Sequence, residues 1–420
     1  MERANASGAR RDGAAIGVTN IPGNSGTRGL AVKSGRPEVE LLLCAACLQL
    51  SEAGRARILC LLESEIDWDW LVHQAFLHGL LPLLYRHLDA LATAQVPKPV
   101  FVELWAHHER VVRRNQAMAR ELVCVLRTLD EHGIPAIPFK GPALAAAVYG
   151  DLALREFGDL DILVRPEDVL PAKRLLQTRG YVPEYDLKPA VEAALLRSGT
   201  YYHLVMVQAG SEIPVELHWK TDVDFPVEPQ SDDQWWARLE YESLGDDRVR
   251  CFGSEELLLI LFLHGSKHAW ASLGWLVDVS EMIRQRPEMN WNWIVAKAAE
   301  LKCERRLAVG VHLAEQLLET PLPEMARRTL RDSKDARELA AEVMQTLFLQ
   351  DTAPVAPMKG FFLRLRLAEE RPWRQLLLVK NAVVAPTLME WSRWPLPRLL
   401  FFLYLPLRIF RLVVKYGRRI

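Results

Sequence analysis

The sequence lacks the features that mark several common classes of protein. It has six cysteines among 420 residues, too few and too irregularly spaced for a disulfide scaffold or paired zinc knuckles. It has no excess of one charge, because 52 Lys and Arg residues stand against 53 Asp and Glu residues; the composition therefore gives no strong signal for a nucleic-acid partner. The opening MERANASGARRDGAAIG contains no apolar stretch typical of a secretory signal. We therefore expect a reducing, cytoplasmic environment.

Residues 1–37 also lack aromatic side chains and contain seven glycines. Such a segment has little apolar surface to offset the entropy of ordering, so we predict that it is disordered. Over residues 38–130 the apolar residues recur at three- and four-residue steps, which predicts a helical region. Cys44 and Cys47 lie there with CxxC spacing, but no βαβ pattern surrounds them. We interpret them as packed core thiols.

A different pattern occupies residues 131–225. IPAIPFKG predicts a strand that leads through a glycine turn into ALAAAVYG, which has the composition of a helix. The next strand, DLDILV, alternates acidic and apolar residues, so Asp159 and Asp161 leave it on the same face. After a further helix the pattern predicts the strands YYHLVMV and EIPVELHW, and in the second of these Glu216 and His218 share a face. This order predicts an α/β core.

Helical spacing resumes over residues 226–350. The sequence pattern over residues 351–420 predicts a loop followed by basic amphipathic helices. The fold class that follows is α+β, with a small α/β core flanked by N-terminal and C-terminal helical regions.

Asp159, Asp161 and Glu216 are the strongest chemical signal in the chain. Carboxylates on neighbouring strands can hold one or two hard divalent cations, and Mg²⁺ typically joins such groups to the phosphates of a substrate. The arrangement predicts phosphoryl or nucleotidyl transfer. The spacing alone is weak, because it recurs in two other aspartate pairs, Asp67 with Asp69 and Asp222 with Asp224. The strand pattern around Asp159 and Asp161 sets them apart.

A resemblance to a known family spans about residues 40–290. It lies in FKGPALAAAVYGDLALREFGDLDILVRPEDVLPAKRLLQTRGYVPE, in PVELHWK and in LHGSKHAWASLGWLVDVSEM. These stretches resemble the uncharacterised bacterial nucleotidyltransferase family, which is related to the DNA polymerase beta-like superfamily. The stretch from KG to GY is the most specific part.

The resemblance implies a mixed-sheet nucleotidyltransferase core in which a glycine-bearing turn presents a nucleoside triphosphate. Asp159 and Asp161 match the first two metal-binding and catalytic carboxylates, and Glu216 matches the third. Lys140 and Gly141 match the nucleotide-binding turn. The expected reaction moves a nucleoside monophosphate onto an acceptor hydroxyl or similar group and releases pyrophosphate. Its implied cofactor is Mg²⁺ or Mn²⁺, and the resemblance does not identify the acceptor.

Two features near the turn leave alternatives open. Pro142 follows Gly141 and has no backbone N–H to offer a phosphate, which favours a nucleotide-binding or scaffolding module that has lost turnover. Lys140 and Arg155 are the nearest cations in sequence that could meet phosphate oxygens in a nucleotide-binding role. An ion pair with an acid such as Glu156 explains them equally well.

A second group of polar residues suggests a substrate cleft. His218 shares a face with Glu216, and His264, Lys267 and His268 follow at helical spacing. His264 and His268 could ligate zinc, but HGSKH has no Glu at its second position and no third ligand is evident. We therefore interpret the histidine pair either as structural or as lining the cleft, where His218 and Lys267 are also candidates.

The end of the chain is basic and apolar. After Glu390 there is no acidic residue, and the apolar stretch of sixteen residues from 399 to 414 is shorter than the span of about twenty that a membrane helix needs. Two interpretations stay open for residues 391–420. One is an interfacial helix at the inner face of a membrane, with basic residues towards anionic lipid. The other is a helix packed on the protein. The basic residues are Arg393, Arg398, Arg408, Arg411, Lys415, Arg418 and Arg419.

Overall fold

The computed structural model describes most of the chain from residue 36 to residue 416. The segments outside this description are 1–35, 198–200, 209, 211–212, 222–232, 332, 349–356, 369–374, 377–378, 380–386, 395, 397–399, 401–402 and 417–420. The predicted disorder of residues 1–37 and the pair Asp222 and Asp224 therefore lie wholly or almost wholly outside the described residues.

Helices precede and follow the strands, as the α+β prediction requires. The first five helices are α1 (Pro37–Ala45), α2 (Glu52–Leu62), α3 (Trp68–Leu77), α4 (Leu81–Ala92) and α5 (Lys98–Glu131). Those after the strands are α10 (Ser254–Lys267), α11 (Leu273–Gln285), α12 (Trp291–Glu300), α13 (Glu304–Leu318), α14 (Glu324–Arg331), α15 (Lys334–Leu347) and α16 (Pro357–Ala368). Two more helices, Leu388–Arg393 and Tyr404–Tyr416, follow α16.

The central part of the chain forms a mixed sheet of five strands. The strands are β1 (Ala136–Pro138), β2 (Leu160–Val164), β3 (Tyr181–Pro183), β4 (His203–Gln208) and β5 (Pro214–His218), in the order β1-β2-β5-β4-β3. Only β2 and β5 pair in parallel; the other neighbours are antiparallel. The helices between them are α6 (Gly141–Leu144), α7 (Val169–Thr178) and α8 (Pro189–Arg197). After β5 come α9 (Asp233–Ala237) and the separate hairpin β6 (Glu240–Leu244) and β7 (Asp247–Cys251).

One face of the sheet is apolar and covered. Ile162 of β2 and Leu217 of β5 are fully buried there, together with Leu122 of α5 and Leu176 of α7. Since side chains alternate along a strand, the residues next to Ile162 in β2 and next to Leu217 in β5 point to the opposite face. Burial of Ile162 and Leu217 therefore fixes the acidic residues of β2 and β5 on one common surface.

The two helical regions that flank the sheet in sequence share one hydrophobic core. Leu41 and Leu84 from the N-terminal helices belong to the same buried cluster as Leu258, Leu313 and Leu339 from the C-terminal helices. A polar contact joins them as well, because the backbone N–H of Gly274 donates to the carbonyl of His78 at 3.0 Å. The N-terminal and C-terminal helices thus form one packed unit, in which the start of α11 contacts the residue that follows α3.

The helix Tyr404–Tyr416 turns two of its arginines towards a buried acid. Arg411 Nε lies 2.9 Å from Glu390 Oε1 and Arg408 Nη1 lies 3.7 Å from Glu390 Oε2, while Glu390 itself is fully buried. Phe410, by contrast, is 70% exposed. Within the part of the chain that the structure describes, no helix combines the length and apolar character that crossing a bilayer requires. The pairing favours the interpretation of a helix packed on the protein.

Candidate active site

The parallel pairing of β2 and β5 places two carboxylates side by side. Asp161 and Glu216 are direct partners in the register of these strands. His218 lies two residues after Glu216 within β5, so Asp161, Glu216 and His218 share one sheet face, while Asp159 lies just before β2 begins at Leu160. The ligand atoms of Asp161, Glu216 and His218 lie within 4.8 Å of one another. The sheet thus brings together acidic residues that are 55 positions apart in the sequence.

Asp159 lies at the edge of this group rather than within it. Burial and the charges of Asp161 and Glu216 raise the pKa of Asp159 to about 6. A carboxyl group that is buried beside two like charges would be stabilised in its ionised form by a cation bound next to it. The cluster therefore has the electrostatic character of a cation site.

Lys140 supplies a positive charge to the cluster. Its Nζ donates to Asp161 Oδ1 at 2.8 Å. Burial alone would raise the pKa of Asp161, but Lys140 and His218 hold it well below its usual range. Burial likewise opposes the charge of Lys140, yet Asp161 raises the pKa of the lysine. Both groups are therefore ionised, and Lys140 lies in the candidate site; its role in binding a nucleotide stays a prediction.

His218 is buried at the centre of the cluster. Its Nδ1 lies 3.2 Å from the carbonyl oxygen of Lys220. Its Nε2 lies 3.1 Å from Asp161 Oδ1 and 3.2 Å from Glu216 Oε2, but neither contact has the alignment of a hydrogen bond. The sequence placed His218 on the correct face and assigned it to the substrate cleft. The structure adds that its ring nitrogen converges with the carboxylate oxygens.

Gly141 brings the turn after β1 against the strand that carries the aspartates. Its φ is +55°, a left-handed conformation that L side chains rarely adopt, and a Cβ at this position would lie 2.9 Å from the carbonyl oxygen of Asp159. Pro142 follows in the first turn of α6, which continues as a π-helical turn over Ala145–Tyr149. The glycine is therefore required for close approach of the two backbone segments.

Arg155 lies in a buried polar cluster with Asp278 and Tyr149. Its Nε donates to Asp278 Oδ1 at 2.7 Å and its Nη2 donates to Oδ2 at 2.9 Å. The hydroxyl of Tyr149 donates to the same Oδ1 at 2.7 Å. This geometry favours the ion-pair interpretation of Arg155, with a partner on α11 rather than the neighbouring Glu156. The pair anchors the loop that leads to Asp159.

Replacing this arginine should destabilise the protein strongly. Arg155→Ala would leave the carboxylate of Asp278 buried and uncompensated, which typically costs about 3–5 kcal/mol. We expect a loss of that size in the free energy of unfolding, measured with urea. The matched control is Arg113→Ala, because Arg113 is exposed and paired with Glu109 at 3.4 Å; its loss should stay below about 1 kcal/mol. Equal effects of the two substitutions would contradict the structural role of Arg155.

The end of α10 borders the cluster. Lys267 Nζ donates to the hydroxyl of Tyr202 at 2.7 Å and lies over its ring, 3.9 Å from the centroid. The ring centroids of His264 and His268 are 4.8 Å apart, and both rings contact Trp275. Burial, reinforced by the charge of Lys140, lowers the pKa of His264 well below its usual value. His264, Lys267 and His268 therefore lie beside the cluster.

The sequence did not single out Tyr202 and His203. His203 is the register partner of His218 on β4, and the two rings stack with centroids 5.1 Å apart. Its Nε2 lies 3.8 Å from Glu216 Oε2. Burial and the neighbouring His218 lower the pKa of His203 to about 4. Only the pairing of β4 with β5 could have indicated this position, and a single sequence does not reveal strand pairing.

A family model described as "uncharacterised nucleotidyltransferase" matches residues 64–319, which is more than half of the chain. The matched range includes every residue of the cluster described above. No curated protein matches the chain.

Proposed function

Because the chain belongs to the uncharacterised nucleotidyltransferase family, we propose that it transfers a nucleoside monophosphate from a nucleoside triphosphate to an acceptor hydroxyl or similar group, with release of pyrophosphate. The observation that carries this proposal is the register pairing of Asp161 with Glu216, with Asp159 near enough for both charges to raise its pKa. The sheet face of this pair adjoins the turn at Lys140 and Gly141, where a triphosphate would lie.

The residues of the cluster fit a divalent cation. Three carboxylates stand against the single ammonium of Lys140, and the buried Nε2 of His218 is aimed at two of them without forming a hydrogen bond. Asp161, Glu216 and His218 would hold the ion, with Asp159 beside them. A divalent ion bound there would neutralise charge on the triphosphate. The sequence analysis favoured Mg²⁺ or Mn²⁺ for this role.

The protein's own groups would position the reactants. The acceptor oxygen attacks the α-phosphorus, a new O–P bond forms, and the bond to the departing pyrophosphate breaks. Glu216 is the more accessible of the two register partners, with 23% of its side chain exposed against 2% for Asp161. It is therefore placed to take the proton of the acceptor. Lys140 adds positive charge where phosphate oxygens would approach.

Two features of the turn support a second candidate function. Pro142 removes a backbone donor from the turn, and the ammonium of Lys140 is engaged by Asp161. A module that binds nucleotide without turning it over would fit both facts. Binding of ATP with Mg²⁺ but no release of pyrophosphate would favour this alternative.

We do not propose that residues 391–420 contact a membrane, because Arg408 and Arg411 are directed at Glu390. A cytoplasmic location remains an expectation from the sequence.

The test is a screen of the four nucleoside triphosphates with Mg²⁺ or Mn²⁺. We expect one or more of them to give pyrophosphate together with a nucleotide-sized mass increase on the protein or on a component of a cell extract. Pyrophosphate release and the mass increase should appear together, since both come from one step. Absence of both with every nucleotide and either metal would overturn the proposal.

A further inference from the structure

We propose that His218 is a direct ligand of the metal at this site, and that its imidazole makes the site select a first-row transition-metal ion such as Mn²⁺, Co²⁺ or Zn²⁺ over Mg²⁺. The inference rests on the proposed function only in placing a metal at the cluster. It goes beyond the sequence expectation, which derived the ligands from carboxylates alone and gave Mg²⁺ or Mn²⁺ without a preference.

The orientation of the imidazole is the first step. His218 is 1% exposed, so each ring nitrogen needs a partner inside the protein. Nδ1 faces the carbonyl oxygen of Lys220 at 3.2 Å, which can only accept a hydrogen bond. Nδ1 therefore carries a proton and donates to this carbonyl, and Nε2 points into the cluster. A hydrogen bond from the distal nitrogen to a backbone carbonyl is the usual support of a metal-binding histidine.

The surroundings of Nε2 are the second step. Nε2 faces two negatively charged oxygens, Asp161 Oδ1 at 3.1 Å and Glu216 Oε2 at 3.2 Å. Lys140 Nζ, 2.8 Å from the same Asp161 oxygen, offsets part of this charge, and a cation between the three atoms would offset the rest. A proton on Nε2 could serve one oxygen, but the N–H would have to point at it, and that alignment is absent. A metal ion bonded to all three atoms satisfies them together.

The donor set determines which metal fits. Mg²⁺ prefers oxygen ligands and keeps several of its waters. Imidazole nitrogen suits Zn²⁺, Co²⁺ and related ions, and binding strengthens along the first transition row. Two carboxylates with one imidazole therefore favour a transition-metal ion more than three carboxylates would. Removal of the imidazole should reduce this preference.

His203 offers a matched control for His218. Its ring stacks on that of His218, and it is also half-buried and close to Glu216. Its Nε2 is 3.8 Å from the carboxylate, however, and it does not belong to the group of converging ligand atoms. His203→Asn therefore removes a neighbouring imidazole without removing the proposed ligand.

The experiment is pulsed electron paramagnetic resonance of Mn²⁺ bound to the full chain, which detects nitrogen bonded to the ion. We expect ¹⁴N modulation in the wild-type protein, a change to the ¹⁵N pattern when histidine alone is labelled with ¹⁵N, and retention of the signal in His203→Asn. In His218→Asn the signal should vanish. Equilibrium dialysis should show that the ratio of the Mg²⁺ to the Zn²⁺ dissociation constant falls at least tenfold in this variant.

Two outcomes would overturn the inference. One is oxygen-only coordination of Mn²⁺ in the wild-type protein, which can be read even if His218→Asn does not fold. The other is loss of the nitrogen signal in His203→Asn with retention in His218→Asn. Neither outcome decides the proposed function: pyrophosphate release with Mg²⁺ and without a nitrogen ligand would leave that function standing. Conversely, a nitrogen ligand without pyrophosphate release would overturn only the function.

Discussion

Asp161→Asn should reduce kcat/KM for nucleotidyl transfer by about three orders of magnitude or more, because it removes the central negative charge of the cation site. Asp161 is the partner of Lys140 at 2.8 Å, and its carboxylate also contacts His218. The amide is nearly isosteric but carries no charge. It cannot balance the lysine, and it is a poor ligand for a divalent ion. The loss should appear in pyrophosphate release at saturating metal.

The control for this substitution uses the same sequence motif elsewhere. Asp69→Asn changes an exposed aspartate with the same spacing from its neighbour Asp67, which caps α3. This variant should retain wild-type activity. Thermal unfolding of both variants separates loss of chemistry from loss of fold. Wild-type turnover in a folded Asp161→Asn protein would show that the metal and catalytic site lies elsewhere.

Gly141→Ala is the second substitution with a large expected effect. The left-handed φ of +55° costs an L residue about 1–2 kcal/mol. The new Cβ would also lie 2.9 Å from the carbonyl oxygen of Asp159, so the turn or the strand must move. A shift near 1 Å can reduce the rate about a hundredfold when it misplaces reacting groups. We expect a loss of that order in kcat/KM.

Gly150→Ala separates the two causes of this loss. Gly150 has a φ of +66°, but a Cβ there would meet no atom within 4 Å. The Gly150→Ala variant should lose a similar free energy of unfolding, because its backbone conformation is also left-handed. It should keep most of its activity, because the added Cβ meets no neighbouring atom. If both variants lost activity equally, close approach of the turn to Asp159 would not be what the site requires.

The face that carries the acids could be predicted from the sequence, because alternation along a strand depends only on local geometry. DLDILV and PVELH each place an acid between buried apolar residues, and the structure has Asp161 and Glu216 on one surface. The parallel pairing of these strands could not be predicted in the same way, since it depends on packing of segments far apart in the chain. His218 shows the consequence. The sheet face of His218 was predicted, but its convergence with Asp161 depends on the register in which β2 and β5 pair.

Long-range pairing also decides the roles of the arginines. Arg155 is close in sequence to the aspartates, yet it binds Asp278, which lies 123 residues away. Arg411 belongs to a basic helical pattern that could equally face lipid or protein, and it contacts Glu390. In both cases the sequence indicates that an arginine lies in a particular helix or loop. Which acid it pairs with is determined by tertiary packing.

The most direct test of the central claim follows the phosphorus atoms of the nucleotide. The wild-type chain is supplied with a nucleoside triphosphate labelled at the α-phosphorus or at the γ-phosphorus, in the presence of the divalent metal that supports turnover. Nucleotidyl transfer predicts that the α-label moves to the acceptor and the γ-label leaves in pyrophosphate. Appearance of the γ-label on the acceptor, or its release as orthophosphate while the α-label stays on a nucleoside diphosphate, would contradict the account.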